Sequence, residues 1–213
     1  ILRVRDEYGA GAILRFQDSP ATRRFARPLI ERLAEAQKRN ATNPDRIRRY
    51  VRALHASPSE QDLAVERLRE AGPYAVPEIL GELESDALTG TERAQVAINL
   101  GRLDRTAVPP LIAALDSPDA SLVTSVAEAL GRIRDRRALP YLTVRAAQPT
   151  TDAQGRDAAI RAIGQITGLD FAAQPRSPIR VLTDEAWKYH RHQVGFPSGS
   201  VEVWNWDEAS SNV

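Results

Sequence analysis

Apolar residues recur in two interleaved series along residues 44–168. The first series is Ala75-Val76-Pro77-Glu78-Ile79-Leu80, Ala107-Val108-Pro109-Pro110-Leu111-Ile112 and Ala138-Leu139-Pro140-Tyr141-Leu142, whose prolines at 77, 109 and 140 stand 32 and 31 residues apart. The second is Asn99-Leu100-Gly101-Arg102-Leu103, Ala129-Leu130-Gly131-Arg132-Ile133 and Ala162-Ile163-Gly164-Gln165-Ile166, with glycines 30 and 33 apart. Two series sharing nearly one period define a structural repeat. Within each unit the apolar spacing is helical: Val108, Leu111, Ile112 and Leu115 share one face, and Val123, Val126, Ala127 and Leu130 share another.

Each unit therefore reads as two helices. Proline near the start of the first is tolerated, because N–H groups there lack intrahelical partners. The second opens on a capping signal. Ser57-Pro58-Ser59-Glu60 and Thr89-Gly90-Thr91-Glu92 fit the S/T-x-x-E box, and Ser117-Pro118-Asp119 offers a cap with an acidic first turn. Asp104 and Asp135 stand five residues before a repeated proline and predict caps for the next first helix. A glycine inside a helix costs about 1 kcal/mol against alanine. Its recurrence at 101, 131 and 164 predicts close helix packing or a prepared stop.

Four units follow: 44–72, 73–104, 105–137 and 138–168. The first places Ile47, Tyr50, Val51 and Leu54 on one helix and Leu63, Val65 and Leu68 on the next. The fourth carries a longer polar link from Gln148 to Asp152. Residues 1–43 form an N-terminal segment containing one amphipathic helix within 20–39, a cap or the first layer of the stack, which Pro28 can start and whose apolar face carries Phe25, Leu29, Ile30, Leu33 and Ala36. Residues 169–213 form a C-terminal cap or a link to a further domain. They contain Pro175 and Pro178, a helix predicted at 184–192, a turn at Phe196-Pro197-Ser198-Gly199, and an alternating stretch from Ser200 to Asp207 that suits a short strand or extended arm.

These strings resemble the HEAT repeat, in particular the short bacterial type named after phycobilisome lyases. The matching residues are Leu100-Gly101, Asp104, Ala107-Val108-Pro109, Leu111-Ile112 and Ala114-Leu115, then Leu130-Gly131, Asp135, Ala138-Leu139-Pro140 and Leu142. The resemblance is strong over 73–168 and extends back to about residue 44. It implies an all-α, right-handed α-solenoid of about four HEAT-like hairpins, with an N-terminal helix and a mixed, aromatic-rich C-terminal cap. Such a stack buries apolar faces between neighbours. Gly168-Leu169-Asp170-Phe171 and Glu185-Ala186-Trp187 are similar to the tails of HEAT-containing proteins from multidomain bacterial chains. An Ile1 start and the absence of methionine agree with a piece of a longer or processed chain.

Composition changes this picture little. The chain has 213 residues and a formal net charge of +1, with no cysteine. That excludes a disulfide framework, a thiol nucleophile and a thiolate metal site. No uncharged run approaches the ~20 residues that span a membrane, so membrane insertion is not expected. Charge is uneven. Residues 1–56 hold 13 basic and 6 acidic groups, and residues 57–101 hold 3 and 9. Such asymmetry marks either an interaction surface or two segments that pair with each other.

Chemistry is sparse. His55 reads as solvated at a helix end. His190 and His192 are two apart and share no helical face. Glu66, Glu70, Glu78, Glu82 and Glu84 read as a solvated acidic face. No G-x-S-x-G, Walker loop or G-x-G-x-x-G is present. No catalytic residue, cofactor or metal site is predicted, and no enzyme. The predicted function is a non-catalytic protein-binding scaffold module. The candidate contacts are Arg67, Arg93, Arg132 and Arg161 on successive second helices, with Trp187, Trp204 and Trp206 as aromatic anchors. The alternatives are nucleic-acid-backbone binding by the basic first third, with clusters at Arg23, Arg24 and Arg27 and at Arg46, Arg48, Arg49 and Arg52 and a further one at the inter-repeat turn of Arg134, Arg136 and Arg137, and a lyase-like or other enzyme-accessory role implied by the repeat type.

Overall fold

A computed structural model describes residues 23–148, 152–169, 177–194 and 203–213. Its first helix, α1, is Arg23–Ala41. Four hairpins follow: α2 (Pro44–Arg52) with α3 (Pro58–Ala71), α4 (Val76–Glu84) with α5 (Gly90–Leu100), α6 (Val108–Ala114) with α7 (Ala120–Ile133), and α8 (Leu139–Ala147) with α9 (Ala153–Thr167). The last helix is α10 (Pro178–His190). Short 3-10 turns at Gly72–Ala75, Arg105–Ala107 and Arg136–Ala138 lead into α4, α6 and α8. Among the described residues there is no strand, only one antiparallel bridge between Asp207 and Asn212.

The caps follow from local chemistry. Glu92 accepts from the Thr89 N–H at 2.9 Å, and the Glu92 N–H returns a bond to Thr89 Oγ1. Glu60 accepts from the Ser57 N–H at 3.1 Å. Asp104 and Asp135 accept from the N–H groups of Thr106 and Arg137, each at 2.9 Å, so both cap the 3-10 turn that precedes the first helix. For α7 the cap is Asp119, which takes the Ser121 and Leu122 N–H groups. Ser117, the expected cap, is instead buried and holds the Asp119 N–H.

One apolar core runs through the array from Ile47 to Ile163. Leu54, Leu68, Ile79, Leu80, Leu100, Leu111, Leu130 and Leu142 are almost fully buried in it. The first helices α2, α4 and α6 touch in series, and so do the second helices α5, α7 and α9. Successive repeats therefore bury one another's faces, as a stacked array requires. Leu63 departs from expectation. It stands 47% exposed, because α3 turns Ala64, Val65, Leu68 and Ala71 inward instead.

The recurring glycines explain how closely the second helices approach. A Cβ on Gly131 would fall 2.9 Å from the Ala162 Cα and collide with the Gln165 side chain. A Cβ on Gly101 would fall 2.7 Å from Arg132 Cδ and 3.3 Å from the Ala129 Cα. Both glycines therefore admit the following second helix. Gly164 lies in the last repeat, and its nearest neighbour would be the Leu169 carbonyl at an ordinary 3.5 Å.

Both ends differ from expectation. Pro28 lies inside α1 and does not start it. Ile30 and Ala36 are half-buried, while the side chains of Phe25, Leu29 and Leu33 lie outside the described residues. The C-terminal helix starts at Ser177-Pro178, six residues before the predicted 184, because proline at its first position sets the entry. It packs on α8. Phe171, Pro175 and the turn at 196–199 lie outside the described residues. Residues 203–206 are neither helix nor strand.

Candidate partner-binding surface

The charge asymmetry resolves between the first two hairpins. Arg46 on α2 binds Glu70 on α3 at 3.0 Å, and Arg48 on α2 reaches Glu78 on α4 at 3.2 Å. His55 is not solvated. It sits between Glu82 on α4 (3.5 Å) and Glu92 at the start of α5 (3.6 Å). The predicted solvated acidic face is therefore partly engaged. Glu70, Glu78 and Glu82 turn toward basic groups of the first repeat, and partial burial pushes the Glu84 carboxyl above its ordinary range, with the nearby Asp119 adding to the rise. Complementary charge across a repeat junction competes with display of that charge to solvent.

A polar network crosses the same junction. Asn99 is buried. Its amide donates to the Leu54 carbonyl at 2.8 Å and to Gln61 Oε1 at 3.3 Å, while Arg102 donates to its Oδ1 at 2.9 Å. Arg102 also reaches Asp62 at 2.6 Å. The later repeats carry Ala129 and Ala162 at this position. That single departure from alanine was the sequence signal for the network, and repeat alignment alone did not assign it a role.

The four arginine candidates fall in different settings. Arg67 pairs with Glu70 on its own helix. Arg93 turns back to the Ser85 carbonyl at 2.9 Å and is partly buried. Glu128 gathers the other two: Arg132 lies 3.8 Å away on the same helix, and Arg161 reaches it from α9 at 3.1 Å. Arg132 and Arg161 thus share one carboxylate on neighbouring second helices, with 39% and 56% of their side chains exposed.

Asp135 illustrates how a repeated acid is held. Burial pushes its carboxyl up, but hydrogen bonds from the Arg137 guanidinium and N–H, together with the charges of Arg137 and Arg105, outweigh that and hold it below its ordinary range. Arg137 donates onward to the Arg105 carbonyl at 2.7 Å, tying two repeat junctions together. Arg69, near the end of α3, donates forward to the Arg102 carbonyl of the next repeat at 3.0 Å.

The three tryptophans do not form one platform. Trp187 is exposed on α10, edge-on to His190 with Arg191 over its ring. Trp204 and Trp206 lie elsewhere, in the segment that contacts the second repeat. Trp204 meets Tyr74 edge-on at 5.9 Å, and Trp206 packs against the core. Among the described residues, no group of three or more His, Asp or Glu is placed to hold a metal ion. No helix among them is long and apolar enough to cross a membrane.

A family model described as HEAT repeats matches residues 76–164. Residues 76–164 therefore match HEAT repeats, and the helical hairpins among the described residues stack as an α-solenoid of that kind does. The matched stretch spans α4 to α9, so the α2–α3 hairpin lies before it. No curated protein matches the chain.

Proposed function

We propose that this chain is a non-catalytic protein-binding scaffold module. HEAT repeats generally mediate protein–protein interaction, and the family is typically non-enzymatic. The observation that carries the reading is the outer surface of two successive second helices. Leu63 on α3 and Ile98 on α5 stand 47% and 43% exposed, although the core beneath them is complete. An apolar residue on each of two adjacent repeats, with Arg67 one helical turn beyond Leu63 and paired with Glu70, suits a protein surface. Aromatic and arginine side chains are enriched where such surfaces bind. Arg67, Arg132 and Arg161 are the arginines we assign to this face, with Trp187 as an outlying aromatic contact.

Binding to a nucleic-acid backbone is the second reading. The ion pairs of Arg46 and Arg48 weigh against it, because they spend basic charge within the fold. Affinity capture from native lysate, with and without nuclease and at two salt concentrations, separates the two. The scaffold reading expects a protein that survives nuclease and moderate salt and is lost from the Leu63→Asp/Ile98→Asp chain at unchanged melting temperature. Recovery that disappears with nuclease, or falls steeply with salt, would put phosphate contacts first.

A further inference from the structure

The chain's last described residues bind its second repeat, some 130 residues away in sequence. Trp204 meets the Tyr74 ring edge-on. Trp206 and Val213 pack against the core. The Asn212 amide donates to the Pro77 carbonyl at 2.9 Å, in the first turn of α4. That amide also lies 4.0 Å from where a Cβ on Gly81 would stand, one helical turn further on.

The bound segment holds its own shape. Asp207 and Asn212 exchange two backbone bonds, at 2.7 and 3.3 Å. Asp207 also accepts from the Ser210 hydroxyl at 2.8 Å and the Ala209 N–H at 3.1 Å. In this register Trp206 stands opposite Val213, and both meet the array. A turn closed by its own hydrogen bonds loses less conformational freedom on docking.

Two features separate this contact from the stacking of repeats. No residue from 203 to 213 is fully buried, whereas Val76, Ile79 and Leu80 of α4 are. The Trp206 indole N–H is buried without a partner, an imperfection that opposes docking. The tail thus lies half-buried over the array and contributes no fully buried residue to its core.

We infer that the surface over Tyr74, Pro77 and Gly81 is a docking site for a Trp-x-Trp-Asp peptide turn, occupied in cis by residues 204–213, and that a partner segment of the same chemistry enters when this tail leaves. This refines the protein-binding reading by naming a site and its ligand chemistry. Its test needs only purified protein and peptide, so it fails or stands apart from the capture experiment.

A fluorescein-labelled peptide of residues 203–213 is titrated into the full chain and followed by anisotropy. A tethered tail competes at an effective concentration on the order of 1 mM. For a peptide dissociation constant of about 100 μM, the Trp204→Ala/Trp206→Ala chain should therefore bind roughly tenfold more tightly than the natural chain. Adding Gly81→Arg to that chain should abolish binding. Arginine is a better helix former than glycine, so this exposed position of α4 should keep its helix. In the otherwise natural chain, Gly81→Arg should shift tryptophan emission to the red as Trp204 and Trp206 reach water. Equal binding to the natural and double-variant chains would overturn the inference, as would no binding to either. Loss of helical signal in the double variant would show that the tail is a structural cover and overturn it too. A dimer that grows with concentration would assign the site to a second copy's tail and overturn the cis arrangement.

Discussion

Gly131 and Gly164 occupy one position in successive repeats and meet opposite surroundings. At Gly131 the next second helix is so close that a Cβ would strike its backbone, while at Gly164 there is ordinary space. The same sequence letter therefore performs different work in the interior and at the end of the array. In the interior it sets the distance between helices. In the last repeat it retains the pattern with no following second helix to admit among the described residues, and keeps only the helical cost of glycine. The energetic unit of a solenoid is the junction between neighbours, so a terminal repeat is released from half of its constraints.

The comparison is broken most severely by emptying the interior. Leu130→Ala should cost about 2–5 kcal/mol by leaving a cavity among fully buried neighbours. Denaturant titration followed by circular dichroism reads this directly, and a change near zero would sink the placement of the core. Next is the contrast between the two glycines. Gly131→Ala should destabilise by up to about 2 kcal/mol, since overpacking costs about 1–3 and helix propensity returns about 1. Gly164→Ala should stabilise by up to about 1 kcal/mol. The same sign for both substitutions would refute the distinction between interior and end.

Asn99 sharpens the comparison at the first junction. Asn99→Ala installs the residue used by the later repeats, yet it should cost about 1–3 kcal/mol because the Leu54 carbonyl loses its buried donor. A neutral outcome would mean that water replaces the amide. The smallest effect is pH-dependent. Asp135 is held below its ordinary range, so its contribution is present above the usual carboxylate pKa of about 4 and is lost as pH falls through the lower folded value. Stability of the natural chain should exceed that of the Asp135→Asn chain near neutrality, and the gap should narrow in acid. A gap that widens as pH falls would show the sign to be wrong.

Much of the architecture was legible because its signals are local. A proline in the first helical turn, a Thr-x-x-Glu box and an aspartate before a 3-10 turn each act within a few residues. Repetition of the pattern then marks the hairpins. The surface was less legible. Nothing near His55 announces Glu82 and Glu92, which arrive from the next repeat. Leu63 lies on the expected helix but faces outward, since the neighbouring Ala64 and Val65 offer an alternative apolar stripe. Pro28 reads as a start signal, yet α1 carries it within the helix. The candidate arginines lie on successive second helices, whereas their actual settings depend on Glu70, Ser85 and Glu128.

Periodicity and capping by themselves determined the all-helical repeat, its ~31-residue unit and most of its buried face, because each depends on contacts within a helix or between adjacent repeats. Only the tertiary structure decided where the charges of the first two hairpins meet, which glycines touch a neighbour, and where the tryptophans go. Trp204 and Trp187 are 17 residues apart in the chain, but one rests on Tyr74 and the other on the outer helix α10. A contact spanning some 130 residues has no local signature, since chain connectivity imposes no preferred surface at that separation. It is selected by shape, by an amide donor reaching the Pro77 carbonyl, and by the bare backbone at Gly81.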